Sequence, residues 1–139
     1  MSETKELTGR CMCGAFELTA KDAKTNVGAC HCQTCRRWVG GPFLAVDCGS
    51  QVEVKDPEKL GVFNSSEWAE RAYCKDCGSA IFYRLKQNQM HIVSAGLFDE
   101  KEAGFVLDHQ VFVDKNPGYY AFANKTEDMT EEQVFAMFS

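Results

Sequence analysis

Apolar and polar residues alternate over much of this chain, a period of two that belongs to half-buried β-strands. Ala15-Phe16-Glu17-Leu18-Thr19 shows it first, and Phe43–Val46, Gln51–Val54, Arg71–Tyr73, Ala80–Leu85, Met90–Ala95 and Gln110–Val113 repeat it. Gly, Asn-Ser and Asp-Pro turns separate these runs, so the pattern predicts a mainly β protein built from antiparallel sheets. Helical spacing is confined to two places. Gln33–Val39 reads as one helical turn, and Thr130-Glu131-Glu132-Gln133 as a capping box opening a short C-terminal helix over Glu131–Phe138. Val134, Phe135 and Phe138 would be its buried stripe. Trp38, Phe43, Trp68, Phe82 and Phe98 are expected in the core, and Asn124–Asp128 as a mobile stretch.

At 139 residues the chain is expected to form a single domain, 1–139, able to bury a core without help from disulfides. No apolar run approaches the roughly 18–20 residues that span a bilayer, and the opening MSETKELTGR lacks an apolar stretch of the secretory type. The formal net charge of −5 argues against nucleic acid and anionic membrane as partners. These features lead to an expected cytoplasmic location. There, 8 cysteines are expected to stay reduced, so they need another explanation than disulfides.

Their grouping supplies one. Cys11 and Cys13 form a CxC, Cys30, Cys32 and Cys35 a CxCxxC, and Cys74 and Cys77 a CxxC, while Cys48 stands alone. Disulfides would need a particular pairing among many, and a redox CxxC should lead into a helix, whereas Cys74-Lys75-Asp76-Cys77 leads into more strand. Zinc fits better. Two short knuckles far apart in sequence, Cys11/Cys13 and Cys74/Cys77, supply four thiolates for a closed structural site. Each is followed by a glycine, Gly14 and Gly78, which suits a tight turn presenting backbone N–H groups to sulfur. Cys30, Cys32 and Cys35 offer three ligands, the number expected of a site with an open fourth position. His31, His109 or Cys48 could instead close it. Arg36 and Arg37 adjoin the triplet and could bind carboxylates or favour thiolates, or could simply be solvated. His31 could be an acid–base group or a polar residue held by a hydrogen bond, and His91 reads as structural.

In this order, Gly9-Arg10-Cys11-Met12-Cys13-Gly14, Cys30-His31-Cys32-Gln33-Thr34-Cys35-Arg36-Arg37, Tyr73-Cys74-Lys75-Asp76-Cys77-Gly78-Ser79, Ala95-Gly96-Leu97-Phe98-Asp99 and His109-Gln110-Val111-Phe112-Val113 resemble the glutathione-dependent formaldehyde-activating enzyme family, which includes centromere protein V. The resemblance covers about residues 9–120, leaving 121–139 as a C-terminal extension with the short helix. It implies a zinc-stabilised β-tent fold with a structural zinc on Cys11, Cys13, Cys74 and Cys77. A more labile, partly occupied zinc would lie on Cys30, Cys32 and Cys35, giving two ions per chain. It also implies a carbon–sulfur lyase of the S-(hydroxymethyl)glutathione synthase type, whose partners are a small thiol such as glutathione and an aldehyde such as formaldehyde. A non-catalytic zinc-binding module, or a redox or zinc sensor, is the alternative function on the same fold. The chain departs from the family pattern in the extra residue of Gly96-Leu97-Phe98-Asp99, in Gly118-Tyr119-Tyr120 where many members have Pro-Trp, and at Cys48, which has no counterpart.

Overall fold

Alternating burial resolves into strands β1 (Thr4–Arg10), β2 (Glu17–Lys24) and β3 (Asn26–Cys30), then helix α1 (Gln33–Val39), in a computed structural model that describes residues 4–137. There follow β4 (Phe43–Asp47), β5 (Val52–Val54), β6 (Leu60–Asn64), β7 (Ala69–Cys74), β8 (Ala80–Leu85) and β9 (His91–Ser94). The chain then forms α2 (Glu100–Ala103), β10 (Val106–Val111), β11 (Glu127–Met129) and α3 (Glu131–Met137). The protein is mainly β, as the alternation predicts. A small antiparallel sheet has the order β1-β2-β5, and a large one the order β11-β10-β3-β4-β9-β8-β7-β6.

The large sheet is antiparallel as expected except along β10, which makes it mixed. β10 runs parallel to both β3 and β11, while β3-β4-β9-β8-β7-β6 is antiparallel throughout. Parallel neighbours need a long crossover, and the chain between Cys30 and Val106 provides it. Four strands lie outside the expected set: β1, β3, β6 and β11. In β1 only Leu7 and Gly9 are buried, among charged neighbours. Gly28 and Ala29 of β3 carry little strand propensity, so that strand depends on β4 and β10 on either side. β11 overlaps the end of the stretch expected to be mobile, Asn124–Asp128, and is held by pairing of its Glu127, Asp128 and Met129 with β10.

The main core lies under both sheets and contains Phe16, Leu18, Val46, Ile81, Phe82 and Val93. Cys48 belongs to it, and burial first, then the charge of Asp47, pushes its thiol up to about 12, so it stays protonated. His91 is buried there too, its Nδ1–H donating to the Gly49 carbonyl at 3.0 Å and its ring edge-on to Phe82. Burial holds its pKa below the ordinary 6.5. Because the folded pKa is depressed, the unfolded chain takes up the proton first as pH falls below about 6.5, and stability is lost from there downward. Thermal unfolding at about pH 7.5 and pH 5.5 should show less acid destabilisation in His91→Gln than in the parent chain.

The two helices at the ends of the prediction behave differently. α1 has the expected bounds, with Cys32 as N-cap accepting from the Cys35 N–H through Sγ. α3 shows the reciprocal capping box, Thr130 N–H donating to Gln133 Oε1 and Gln133 N–H to Thr130 Oγ1. Its expected buried stripe is corrected: Val134 is half-buried, Phe135 is 46% exposed, and Phe138 lies outside the described residues. The reason is position. Phe135 leans edge-on against Trp68 and Phe112 over a cavity instead of entering the core.

Candidate functional site

The two CxC and CxxC knuckles close into matched turns. Cys11 N–H donates to the Phe16 carbonyl and Cys74 N–H to that of Ser79, and in each loop the following glycine takes a left-handed conformation, φ 79° at Gly14 and 80° at Gly78. That conformation excludes most L side chains and accounts for both glycines. The knuckles interlock through the Met12 N–H, which donates to Ser79 Oγ. Their four sulfurs lie within 4.8 Å of one another. Cys11 and Cys13 sulfurs are 3.6 Å apart, and those of Cys13 and Cys74 3.9 Å. A tetrahedral ion with Zn–S bonds of about 2.3 Å places its sulfurs about 3.8 Å apart, whereas a disulfide needs about 2.05 Å. All eight cysteines are free. Donors aimed at sulfur complete the match: Phe16 N–H reaches Cys11 Sγ at 3.3 Å, and the Ser79 hydroxyl lies 3.1 Å from Cys77 Sγ and draws that thiol down to about 6. The cluster ties the end of β1 in the small sheet to the β7–β8 hairpin of the large one.

The triplet forms the second cluster. Cys30 ends β3, Cys32 caps α1 and Cys35 lies one turn inside it, so one strand-to-helix corner delivers all three sulfurs within 4.8 Å. Cys32 is held to about 2, first by the Cys30 thiol donating to it, then by the Cys35 thiol and the positive charge of Arg71. Cys30 is pushed up in turn, chiefly by its hydrogen bond to Cys32. Cys35 is also raised, to about 11, so the metal-free corner stabilises negative charge on the Cys32 sulfur. Unlike the first cluster, it opens into a cavity of about 520 Å³.

Arg71 is the residue that the sequence reading placed only in a strand. It is 7% exposed, donates from Nη1 to Cys35 Sγ at 3.4 Å, and stacks between Trp38 and Tyr83 at 5.0 and 5.1 Å. Among the described residues it forms no ion pair with a carboxylate, and its Nε is buried without a hydrogen-bond partner. A buried cation needs a counter-charge, and the sulfurs are the groups beside it. Three thiolates around a divalent ion would leave one net negative charge, which Arg71 is placed to balance. Arg71→Leu should therefore weaken metal retention at the triplet by about 10–100-fold, read by chelator competition, without loosening the four-cysteine cluster. The signal in sequence was an arginine at an inward position of an alternating strand.

None of the three residues considered for closing the triplet is gathered with it. His31 is fully buried with both ring nitrogens occupied, Nε2 by Gln110 Oε1 at 2.7 Å and Nδ1 by the Tyr120 hydroxyl at 2.8 Å. Gln110 Oε1 accepts, so Nε2 carries the proton and Nδ1 accepts from Tyr120. Tyr120, at the position of the family departure, also stacks on this ring. His109 pairs with Asp108 and lies against Gly28, where a methyl group would collide with its ring. Cys48 is in the core. Arg36 lines the cavity and donates from Nε to the His31 carbonyl, whereas Arg37 is exposed outside it. Asp99 accepts from the Lys101 N–H at the start of α2. Phe43, Phe82 and Phe98 are buried as expected, but Trp68 is 50% exposed, because it walls the cavity rather than the core.

A family model described as "Glutathione-dependent formaldehyde-activating enzyme" matches residues 6–115. An uncharacterized lyase of Schizosaccharomyces pombe is 36% identical over 130 residues, covering 93% of this chain and 94% of the relative. A Podospora anserina protein named "Putative glutathione-dependent formaldehyde-activating enzyme" is 26% identical over 103 residues, 68% of this chain and 48% of that protein. A crystal structure of a Rhodobacter sphaeroides protein superposes with a TM-score of 0.56 at 22% identity, covering 73% of this chain and 98% of that one, a likeness of fold.

Proposed function

The chain belongs to the glutathione-dependent formaldehyde-activating enzyme family, and from that premise we propose that it is a zinc-dependent enzyme of the carbon–sulfur lyase type, joining a small thiol such as glutathione to formaldehyde or a related aldehyde. One observation carries the reading: three cysteine sulfurs, gathered within 4.8 Å of one another beside a buried arginine, form part of a cavity wall instead of being sealed in the core. Cys11, Cys13, Cys74 and Cys77 would hold the structural zinc, and Cys30, Cys32 and Cys35 the exchangeable one. Zinc bound at the triplet would offer an open position at which a substrate thiol ionises near neutral pH.

The protein's own residues do the rest. Arg71 offsets the negative charge that accumulates when a further thiolate arrives. Arg36 lines the cavity as a cation for a carboxylate of a thiol peptide, and Lys115 and Glu131, paired with each other at 4.0 Å, line it as a cation and an anion that its charged ends would meet. Burial raises the Tyr83 phenol well above its usual pKa, so it remains a hydroxyl donor beside the triplet. The thiol sulfur forms a bond to the carbonyl carbon, the C=O π pair moves to oxygen, and that oxygen takes a proton in place of the one the thiol lost. Nothing is oxidised. Free cysteines on this scale suit a reducing compartment such as the cytoplasm. The test is S-(hydroxymethyl)glutathione formation from glutathione and formaldehyde, followed by NMR exchange: the zinc-loaded protein should speed it above the uncatalysed rate. No acceleration with any common cellular thiol and aldehyde would sink the proposal.

A further inference from the structure

Beside the cysteine-lined cavity lies a second one of about 380 Å³, between α3 and the face of β8 and β9 that carries Leu85 and Ile92. Leu85, Met90, Ile92 and Val134 make its walls mainly apolar, with Gln87 and Asn88 the polar exceptions. The two cavities adjoin, sharing Trp68, Tyr83, Phe112 and Phe135. These four aromatics are the boundary between an ionic chamber and a greasy one. Phe112 sits there at a cost, with φ 56° in the left-handed region that bulky residues avoid. Trp68 and Phe135 leave much of their surface open when burial in the core would have gained more.

Formaldehyde has no substituent and gains nothing from such a chamber. We propose that the apolar cavity is a second subsite of the same active centre and takes the alkyl or aryl substituent of an aldehyde, or of the thiol adduct formed from it; this rests on the thiol–aldehyde reading of the triplet. The division of charge sets the orientation. The charged side chains, Arg36 and the Lys115–Glu131 ion pair, line only the first cavity, so the polar peptide arm belongs there and the arm left for the second is the one attached to the carbonyl carbon. Each methylene buried there should add about fourfold in affinity until the chamber is full.

The test uses the zinc-loaded full chain and two unreactive adduct mimics, S-hexylglutathione and S-methylglutathione, with binding read by calorimetry. The hexyl conjugate should bind at least about tenfold more tightly than the methyl one. Met90→Trp and, independently, Val134→Phe fill the chamber and should bring that ratio to about one in protein that still unfolds cooperatively. A ratio of one in the parent chain, no binding of either conjugate, or a ratio unchanged in both folded variants overturns the proposal. Adduct formation is a separate measurement. A chain that joins glutathione to formaldehyde with a ratio of one keeps the function and loses the subsite; a chain that shows the ratio without turnover keeps the subsite and loses the function.

Discussion

Cys74→Ser should yield a chain that retains less than one equivalent of tightly bound zinc and melts more than about 12 °C below the parent protein. Cys74 is fully buried at the end of β7, and its sulfur lies 3.9 Å from that of Cys13, which follows β1. The cluster therefore joins two sheets that are otherwise linked at that end by packing, the Met12 N–H to Ser79 hydrogen bond and the Gly9–Phe98 bridge. Structural zinc sites supply about 10–16 kcal/mol of apparent binding free energy, and that becomes folding free energy when the unfolded chain lacks the site. Losing even about 4 kcal/mol of it consumes much of the 5–15 kcal/mol by which domains are stable. Metal analysis with thermal unfolding checks it. A Cys74→Ser protein that keeps its zinc and its melting temperature would show that the four sulfurs do not tie the fold.

Cys32→Ser should have the opposite profile, losing activity by about 10³-fold while the melting temperature moves by only a few degrees. At pH 7 a thiol with a pKa of 8.5 is about 3% ionised, so full ionisation is worth about 30-fold, and holding it beside the carbonyl adds at least about 10²-fold. Both are lost when the triplet loses a sulfur. The fold survives because serine replaces the helix-capping role of Cys32, whose sulfur accepts from the Cys35 N–H, with a better cap. Steady-state rates and calorimetry on one preparation read both halves. Equal damage from Cys32→Ser and Cys74→Ser would contradict the division between a structural and a working cluster.

The local features of this chain were largely legible before its structure. Knuckle spacing and the glycines after Cys13 and Cys77 pointed to the four-sulfur cluster, because sequence spacing and turn chemistry are local properties. The bounds of α1 and β8 followed from periodicity for the same reason. What was missed depends on tertiary partners. β3 is a strand because β4 and β10 flank it, and β10 returns parallel across a long connection that periodicity cannot report. Arg71 matters because Trp38 from α1, Tyr83 from β8 and Cys35 converge on it. Trp68 and Phe135 resembled core residues by hydrophobicity alone, since nothing local separates a cavity wall from an interior. His31 drew attention by standing between two ligands, yet Gln110 and Tyr120, 79 and 89 residues away, fix it as a structural anchor.

Cobalt(II) loaded in place of zinc tests the central claim most directly, because thiolate-to-cobalt charge transfer reports how many sulfurs surround the ion. Adding glutathione to the cobalt protein should increase that absorption by about one thiolate's worth, as a substrate sulfur takes the open position beside Cys30, Cys32 and Cys35. Cys32→Ser should abolish the increase and leave the signal of the four-cysteine cluster. A spectrum unmoved by glutathione and by the other common cellular thiols would contradict the account, since it would mean that the triplet does not present its metal to a substrate thiol.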